Sequence, residues 1–340
     1  MSKVVVTGGA GFIGTNLTQW FAENEPSTKV VVFDLCTPQI ELPPNAVYQY
    51  GDIRNLNCLL DAFEGADEVY NLAGILGTSE LIPITSLATE VNVSGAANVF
   101  DAARRCQVKR VYNVAKPNFA GYHENAYTLT KHSAENLGLM YRDKYNMDIA
   151  TVRWMNAVGP YQHLYPIRKF VPTLVLFALY GLPLEIYGSG KQTIDPIDTR
   201  DMCRYTVYAA RHLGNLDTVV DLGSGVSVTC NDAAEMILSR VKAQGYYSES
   251  NIVHLPMRDG EKEDCLIKAD TSFWDERDMV PQYTFEESIN AVIYYVLSLP
   301  EHHRRNALAY YGKLPKHLIS DMPKSFTAPR GSFTTIERAF

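Results

Sequence analysis

The sequence predicts an α/β protein: a doubly wound parallel sheet, with a smaller mixed α/β region after it. Three observations carry that reading. Short β-branched and aromatic runs alternate with longer helical patterns through the first half of the chain. The first of these runs passes directly into Gly8, Gly11 and Gly14, which head a helical pattern. After residue 155 the texture changes to short elements punctuated by Gly159-Pro160, Pro166, Pro172, Gly181-Leu-Pro183 and Gly188-Ser-Gly190.

Taken in order, three valines after Lys3 read as a buried strand over 3–7, followed by a glycine turn and a helix over 12–24. A second valine-rich run gives a strand at 29–34 that ends on Asp34. Further strands read at 47–50, 68–72, 109–114 and 149–154, separated by helices at 55–63, 84–106 and 125–146. Six strands joined by crossover helices is the count of a full dinucleotide-binding, Rossmann-type fold. We therefore expect a dinucleotide-binding domain over 1–155, its sheet completed by segments near 185–225. A mostly substrate-binding region follows over 156–298. From Pro300 the chain loses periodicity and carries prolines at 300, 315, 323 and 329, so 299–340 is expected to be an extended or disordered tail.

Composition narrows the function classes. With 340 residues, 46% hydrophobic and 20% charged, the chain has the makeup of a soluble globular protein. A net charge of −7 argues against a nucleic-acid binder, which would carry a basic stripe. The six cysteines (36, 58, 106, 203, 230 and 265) show no Cys-x-x-Cys and no zinc spacing, so reduced thiols and no metal are expected. The most apolar later stretch, Phe170 to Leu184, is broken by Pro172, Gly181 and Pro183 and is too short to span a bilayer. Met1 runs almost straight into the first strand, leaving no room for a leader. A cytoplasmic protein with no membrane partner is the expectation.

The glycine turn is a ready-made diphosphate site, because free N–H groups at a helix start face the ligand and glycine permits close approach. A glycine triplet alone is weak, and the spacing here is Gly-x-x-Gly-x-x-Gly. Asp34 strengthens it: a carboxylate twenty residues beyond Gly14 can accept the ribose hydroxyls of NAD and would repel the 2′-phosphate of NADP. Tyr127 and Lys131 stand four apart at the start of a long helix, so they share one face. A nearby ammonium stabilises phenolate, turning a group that titrates near pH ~10 into a usable base. The same spacing recurs at Tyr112–Lys116, Tyr165–Lys169 and Tyr187–Lys191 among 21 tyrosines. Only Tyr127 opens a long helix directly after the fifth strand, at the ligand edge of a parallel sheet.

In these motifs the chain resembles the extended short-chain dehydrogenase/reductases that act on nucleotide sugars, in the pattern of UDP-glucose 4-epimerase-like enzymes. The resemblance spans roughly residues 3–298. Thr7-Gly-Gly-Ala-Gly-Phe-Ile-Gly14 looks like the cofactor loop, which implies NAD contacts from Gly8, Gly11, Phe12, Ile13 and Gly14. Asp34 takes the NAD-selecting position, and Gly51-Asp52-Ile53-Arg54 resembles the adenine-contacting turn, implying Asp52 and Ile53. Asn71-Leu72-Ala73-Gly74 is similar to the motif beside the cofactor, and Asn92-Val-Ser-Gly95 to a buried helix motif. Tyr127 and Lys131 fall on the catalytic positions, with Lys131 also holding the nicotinamide ribose. Asn156 and Arg258 look like diphosphate ligands. Family members commonly pair through the helices at 84–106 and 125–146, which implies a homodimer.

Two departures stand out. The family strand before the catalytic tyrosine ends in a Ser/Thr run, whereas here it reads Asn113-Val-Ala-Lys-Pro-Asn118. Lys116 is the expected replacement donor, with Asn118, Thr78 and Ser79 as alternatives. The second departure is Ile194, where the family often carries an arginine that contacts phosphate. Dehydratases of this family need an Asp-Glu pair and decarboxylases often a Glu at the point where this chain has Pro117-Asn118. The resemblance therefore implies an NAD-dependent UDP-hexose 4-epimerase working through a transient 4-keto sugar. The alternatives are a dehydratase recruiting Glu80 or His123, and a non-catalytic NAD(H)-binding sensor.

Overall fold

The structure is a computed structural model that describes residues 2–117, 121, 123–216, 218–246 and 249–314. The first half runs β1 (Lys3–Thr7), α1 (Phe12–Asn24), β2 (Lys29–Asp34), β3 (Ala46–Tyr50), α2 (Leu56–Phe63), β4 (Glu68–Asn71), α3 (Thr85–Thr89), α4 (Ala96–Arg105), β5 (Arg110–Ala115), α5 (Ala126–Tyr145) and β6 (Ile149–Trp154). The second half runs β7 (Asn156–Val158), α6 (Phe170–Leu179), β8 (Leu184–Tyr187), β9 (Thr193–Ile194), β10 (Pro196–Asp198), α7 (Thr199–His212), β11 (Val220–Leu222), β12 (Val228–Thr229), α8 (Cys230–Ala243), β13 (Ile252–Leu255), α9 (Ser272–Asp275), α10 (Phe285–Ser298) and α11 (Glu301–Tyr310).

Seven parallel strands form one sheet in the order β11-β6-β5-β4-β1-β2-β3. The valine runs explain its centre. A parallel sheet is covered on both faces, so its inner strands are apolar throughout rather than alternating. Val4 and Val6 point to one face, packing with Phe21, Met202 and Tyr205, which come from α1 and α7. Val5 points to the other, with Phe63, Phe100 and Tyr141 of α2, α4 and α5. The seventh strand, β11, comes from beyond residue 155 and pairs Val220 with Val152. The rest of the second half makes short pairs, β10 with β7, β12 with β9 and β13 with β8, over a core of α6, α8 and α10.

Two expectations are corrected. The helical pattern at 84–106 is not one helix: α3 and α4 are separated by a π-helical turn, Glu90–Gly95. The inserted turn swings Asn92 inward, where it is buried. Its Nδ2 donates to the Ile75 carbonyl (2.9 Å) and to Thr130 Oγ1 (3.1 Å), and its Oδ1 accepts from the Ile75 N–H (2.9 Å). This fixes the loop that leaves β4. We expect Asn92→Ala to cost about 2 kcal/mol, since it strands buried backbone groups, as chemical denaturation can measure. The second correction concerns 299–340. Residues 301–310 form α11, because Ala307 and Leu308 bury completely against the core under α6 and α10. Residues 315–340 lie outside the described residues. Among those described, no helix is long and apolar enough to cross a membrane.

Candidate active site

The strand ends of β1, β2, β4 and β5 converge on one edge, and the glycine turn lies there. Gly8 has φ of +69°, and a Cβ on it would stand 2.8 Å from the Ala73 backbone. Gly11 heads α1 with no side chain capping it, so the first amides of the helix, at Phe12, Ile13 and Gly14, are presented forward. A Cβ on Gly14 would stand 2.5 Å from Gly9 Cα, so the turn closes only around bare backbone. This is a cradle shaped for a diphosphate.

The remaining predicted cofactor residues gather around it. Asp34 closes β2, its Oδ2 accepting from the Ala10 N–H (3.0 Å) and its Oδ1 from the Cys36 N–H (2.9 Å). Burial raises its pKa, and those backbone bonds oppose the rise. Asp52 is held by Arg54, with 2.8 Å bonds from both the backbone N–H and Nε. Ile53 is buried beneath Gly95, where a Cβ would lie 2.5 Å from its Cδ1. Leu72 and Ala73 donate from their backbones to Thr7, and Gly74 leaves room for the Asn92 carboxamide, 2.9 Å from where its Cβ would sit. The residues present therefore fit a dinucleotide.

Tyr127 and Lys131 lie one turn apart on α5, whose first turn is capped by Asn125 Oδ1 on the Thr128 N–H (2.8 Å). Burial pushes Tyr127 up to about 12 and Lys131 down to about 8, the latter against the pull of Glu135. In the chain alone the phenol is thus harder to ionise than an exposed tyrosine, opposite to the shift expected from the sequence. Glu135 is itself paired with Arg153 (2.9 Å). Lys116 is not a solvated loop lysine: it is half-buried, its Nζ lies 5.9 Å from the Tyr127 ring centroid, and it donates to the Pro117 carbonyl (3.1 Å). Burial lowers its pKa as well.

The depressed lysine has a testable consequence. Between pH ~8 and ~10.5 the unfolded chain keeps a proton on Lys131 that the folded chain has released, so stability from this group rises with pH across that window. Below it the burial penalty is full. We expect Lys131→Met, in nucleotide-free protein, to melt at least as high as the parent at pH 7. The difference should shrink by pH 10 in paired thermal melts, and an unchanged difference would contradict the shift.

The second half supplies the other wall. Arg258 donates from Nη1 to Glu80 Oε1 (3.2 Å) and from Nε to Glu261 Oε2 (3.2 Å), and its Nη2 pairs with Glu261 Oε1. Thr78 Oγ1 donates to Glu261 (2.6 Å) and Ser79 Oγ to the Asp259 carbonyl (2.6 Å), while Asn125 Nδ2 reaches the Gly260 carbonyl (3.1 Å). The Arg258 loop is thus tied to both the loop after β4 and the start of α5. Asn156 is engaged elsewhere: its Oδ1 accepts from the Asp195 N–H (3.0 Å), joining β7 to β10. Asn118 lies outside the described residues. Beside the Arg258 loop opens a cleft of about 520 Å³ whose lining includes Glu80, Arg168, Tyr187, Arg258, Tyr310 and Tyr311. Arg168, Tyr310 and Tyr311 were missed from sequence, because they come from a loop and a presumed tail with no local motif around them. Lys169 nearby is pushed down to about 8 by burial, with Glu80 opposing.

A model of the NAD dependent epimerase/dehydratase family matches residues 4–223. The chain belongs to this family. Among relatives of this epimerase/dehydratase, a low-salt glycan biosynthesis protein, Agl12 of Haloferax volcanii, is 28% identical over 318 residues, covering 86% of this chain and 98% of the relative. A dTDP-glucose 4,6-dehydratase of Streptomyces antibioticus is 26% identical over 259 residues, covering 69% of this chain and 76% of the relative. In fold, the chain is similar to a UDP-glucuronic acid 4-epimerase from Bacillus cereus solved with UDP-glucuronic acid and NAD, with a TM-score of 0.77 at 24% identity, covering 88% of this chain and all of that one. The protein is an NAD-dependent enzyme of the epimerase/dehydratase class.

Proposed function

We propose that the protein is a UDP-hexose 4-epimerase that works through a transient 4-keto sugar. The observation that carries this reading is the end of β5. Among the described residues there, the Lys116 ammonium lies beside the Tyr127 ring, and the sequence from Asn113 to Asn118 carries none of the carboxylates that elimination of water or loss of carbon dioxide requires. Held at the glycine turn and by Asp34, NAD would supply a hydride acceptor and donor and a positively charged ring. Tyr127 takes the proton of the sugar C4 hydroxyl and gives it back. Lys131 steadies the negative charge that the phenol acquires. Lys116 takes the place of the missing hydroxyl donor, holding the C4 oxygen through its ammonium. Asp34 favours NAD kept and recycled over NADPH consumed in net reduction. Arg258 holds the diphosphate, releasing Glu80 and Glu261 as it does so.

One observation favours a second reading, a 4-keto-forming dehydratase. Glu80 Oε2 is buried and has no hydrogen-bond partner among the described residues, which leaves one carboxylate oxygen unpartnered beside Arg258. Incubation with UDP- and dTDP-sugars, no cofactor added, separates the two by product mass. An isomer of unchanged mass supports the epimerase, loss of 18 Da (one water) the dehydratase, and no turnover of any sugar the sensor alternative. We further propose a cytoplasmic homodimer paired through α4 and α5. Leu129 and Met140, exposed on α5 and eleven residues apart on one face, support that pairing, which sedimentation velocity would test.

A further inference from the structure

The segment beyond residue 223 lies outside the family match, yet part of it lines the cleft. Tyr310, at the end of α11, lines the cavity together with Glu80 and Arg258. The helix that carries it is firmly held. The Tyr310 ring stacks on Tyr165 (5.5 Å, 28°), and Tyr311 Oη donates to the Leu164 carbonyl (2.5 Å). Lys313 pairs with Glu185, which also takes Arg168 (3.0 Å). Arg168 and Arg258 both lie over the Tyr187 ring, at 5.1 and 5.0 Å from its centroid, so one aromatic ring spaces two guanidiniums at the cavity. The cleft therefore offers two chemistries side by side. Guanidiniums suit a pair of phosphoryl groups. The half-buried tyrosines suit a flat aromatic group, which a sugar does not have. Its volume is within the range that holds a ligand of nucleotide-sugar size.

We propose that α11 is part of the substrate site and that the Tyr310 ring is the surface on which the nucleobase of the nucleoside-diphosphate substrate lies. This rests on the nucleotide-sugar reading above. Arg168 and Arg258 take the diphosphate, and the nucleobase extends from them toward α11. Tyr165 behind Tyr310 holds the ring in place before the ligand arrives, which lowers the ordering cost of binding.

The test is calorimetric titration of the full chain with UDP, with dTDP and, separately, with inorganic pyrophosphate. Tyr310→Ala should weaken UDP about tenfold or more, as loss of one base–aromatic stack does, and leave pyrophosphate binding unchanged. Tyr310→Phe should bind UDP within twofold of the parent. Equal UDP affinity in Tyr310→Ala would overturn the proposal, as would parallel losses of UDP and pyrophosphate. If the parent itself binds neither UDP nor dTDP, the nucleotide-sugar reading fails along with it. Should Tyr310→Ala not fold, saturation-transfer NMR on the parent with UDP decides the matter. Saturation stronger at the uracil protons than at the ribose supports the proposal, and the reverse overturns it.

Discussion

Tyr127→Phe is expected to lower turnover roughly 10²–10⁴-fold, the range one positioned proton-transfer group supplies, while the purified protein keeps its NAD. The substitution removes one oxygen and leaves a ring that still fits between α5 and the Lys116 ammonium. Burial holds the Tyr127 phenol protonated, pushed up to about 12 in the chain alone. On the proposed mechanism the residue is a proton donor at rest and becomes a base only when positive charge gathers around it. The rate of the parent should accordingly rise with pH as the phenol loses its proton in the complex, and Tyr127→Phe should lack that limb. Comparable turnover in parent and variant would remove Tyr127 from the mechanism.

Gly14→Ala is expected to cost more than a hundredfold in NAD affinity, read as cofactor content after purification and by titration. Alanine favours helix over glycine, so local propensity alone would make the change stabilising. Close approach decides against it: the new Cβ would stand 2.5 Å from Gly9 Cα and collide with the Gly8 carbonyl, both backbone. The turn must open, and the amides at the head of α1 lose their common aim. Gly65→Ala is the control. Its Cβ would meet nothing within 4 Å, so it carries only the left-handed strain of its φ of +66°, about 1 kcal/mol, with NAD retained.

The parallel sheet was legible because two valine runs state burial on both faces with no tertiary information. The cofactor cradle was legible for a related reason, since every part of it lies at a strand end. The cleft was not. Arg168, Tyr187 and Tyr310 come from three separate stretches, and Tyr310 joins the other two only through the docking of α11. Within that helix only Ala307 and Leu308 bury, too few to announce a buried face. The π-helical turn at Glu90–Gly95 was equally hidden, since one extra residue per turn barely disturbs a helical pattern. Lys116 was visible only as a departure, and burial beside Tyr127 gives it chemical meaning.

The three bonds that tie Thr78, Ser79 and Glu80 to the Asp259–Glu261 stretch and Arg258 join groups 183, 180 and 178 residues apart along the chain. Closing loops of that size is slow, because the entropy of bringing the ends together is lost before any contact repays it. The cofactor cradle closes over shorter separations, 66 residues between Thr7 and Ala73, and can form early, whereas the Arg258 side of the cleft waits for the long-range ties. During refolding, NAD binding should therefore return before turnover does, and the delay between the two is a clock for the joining of the halves.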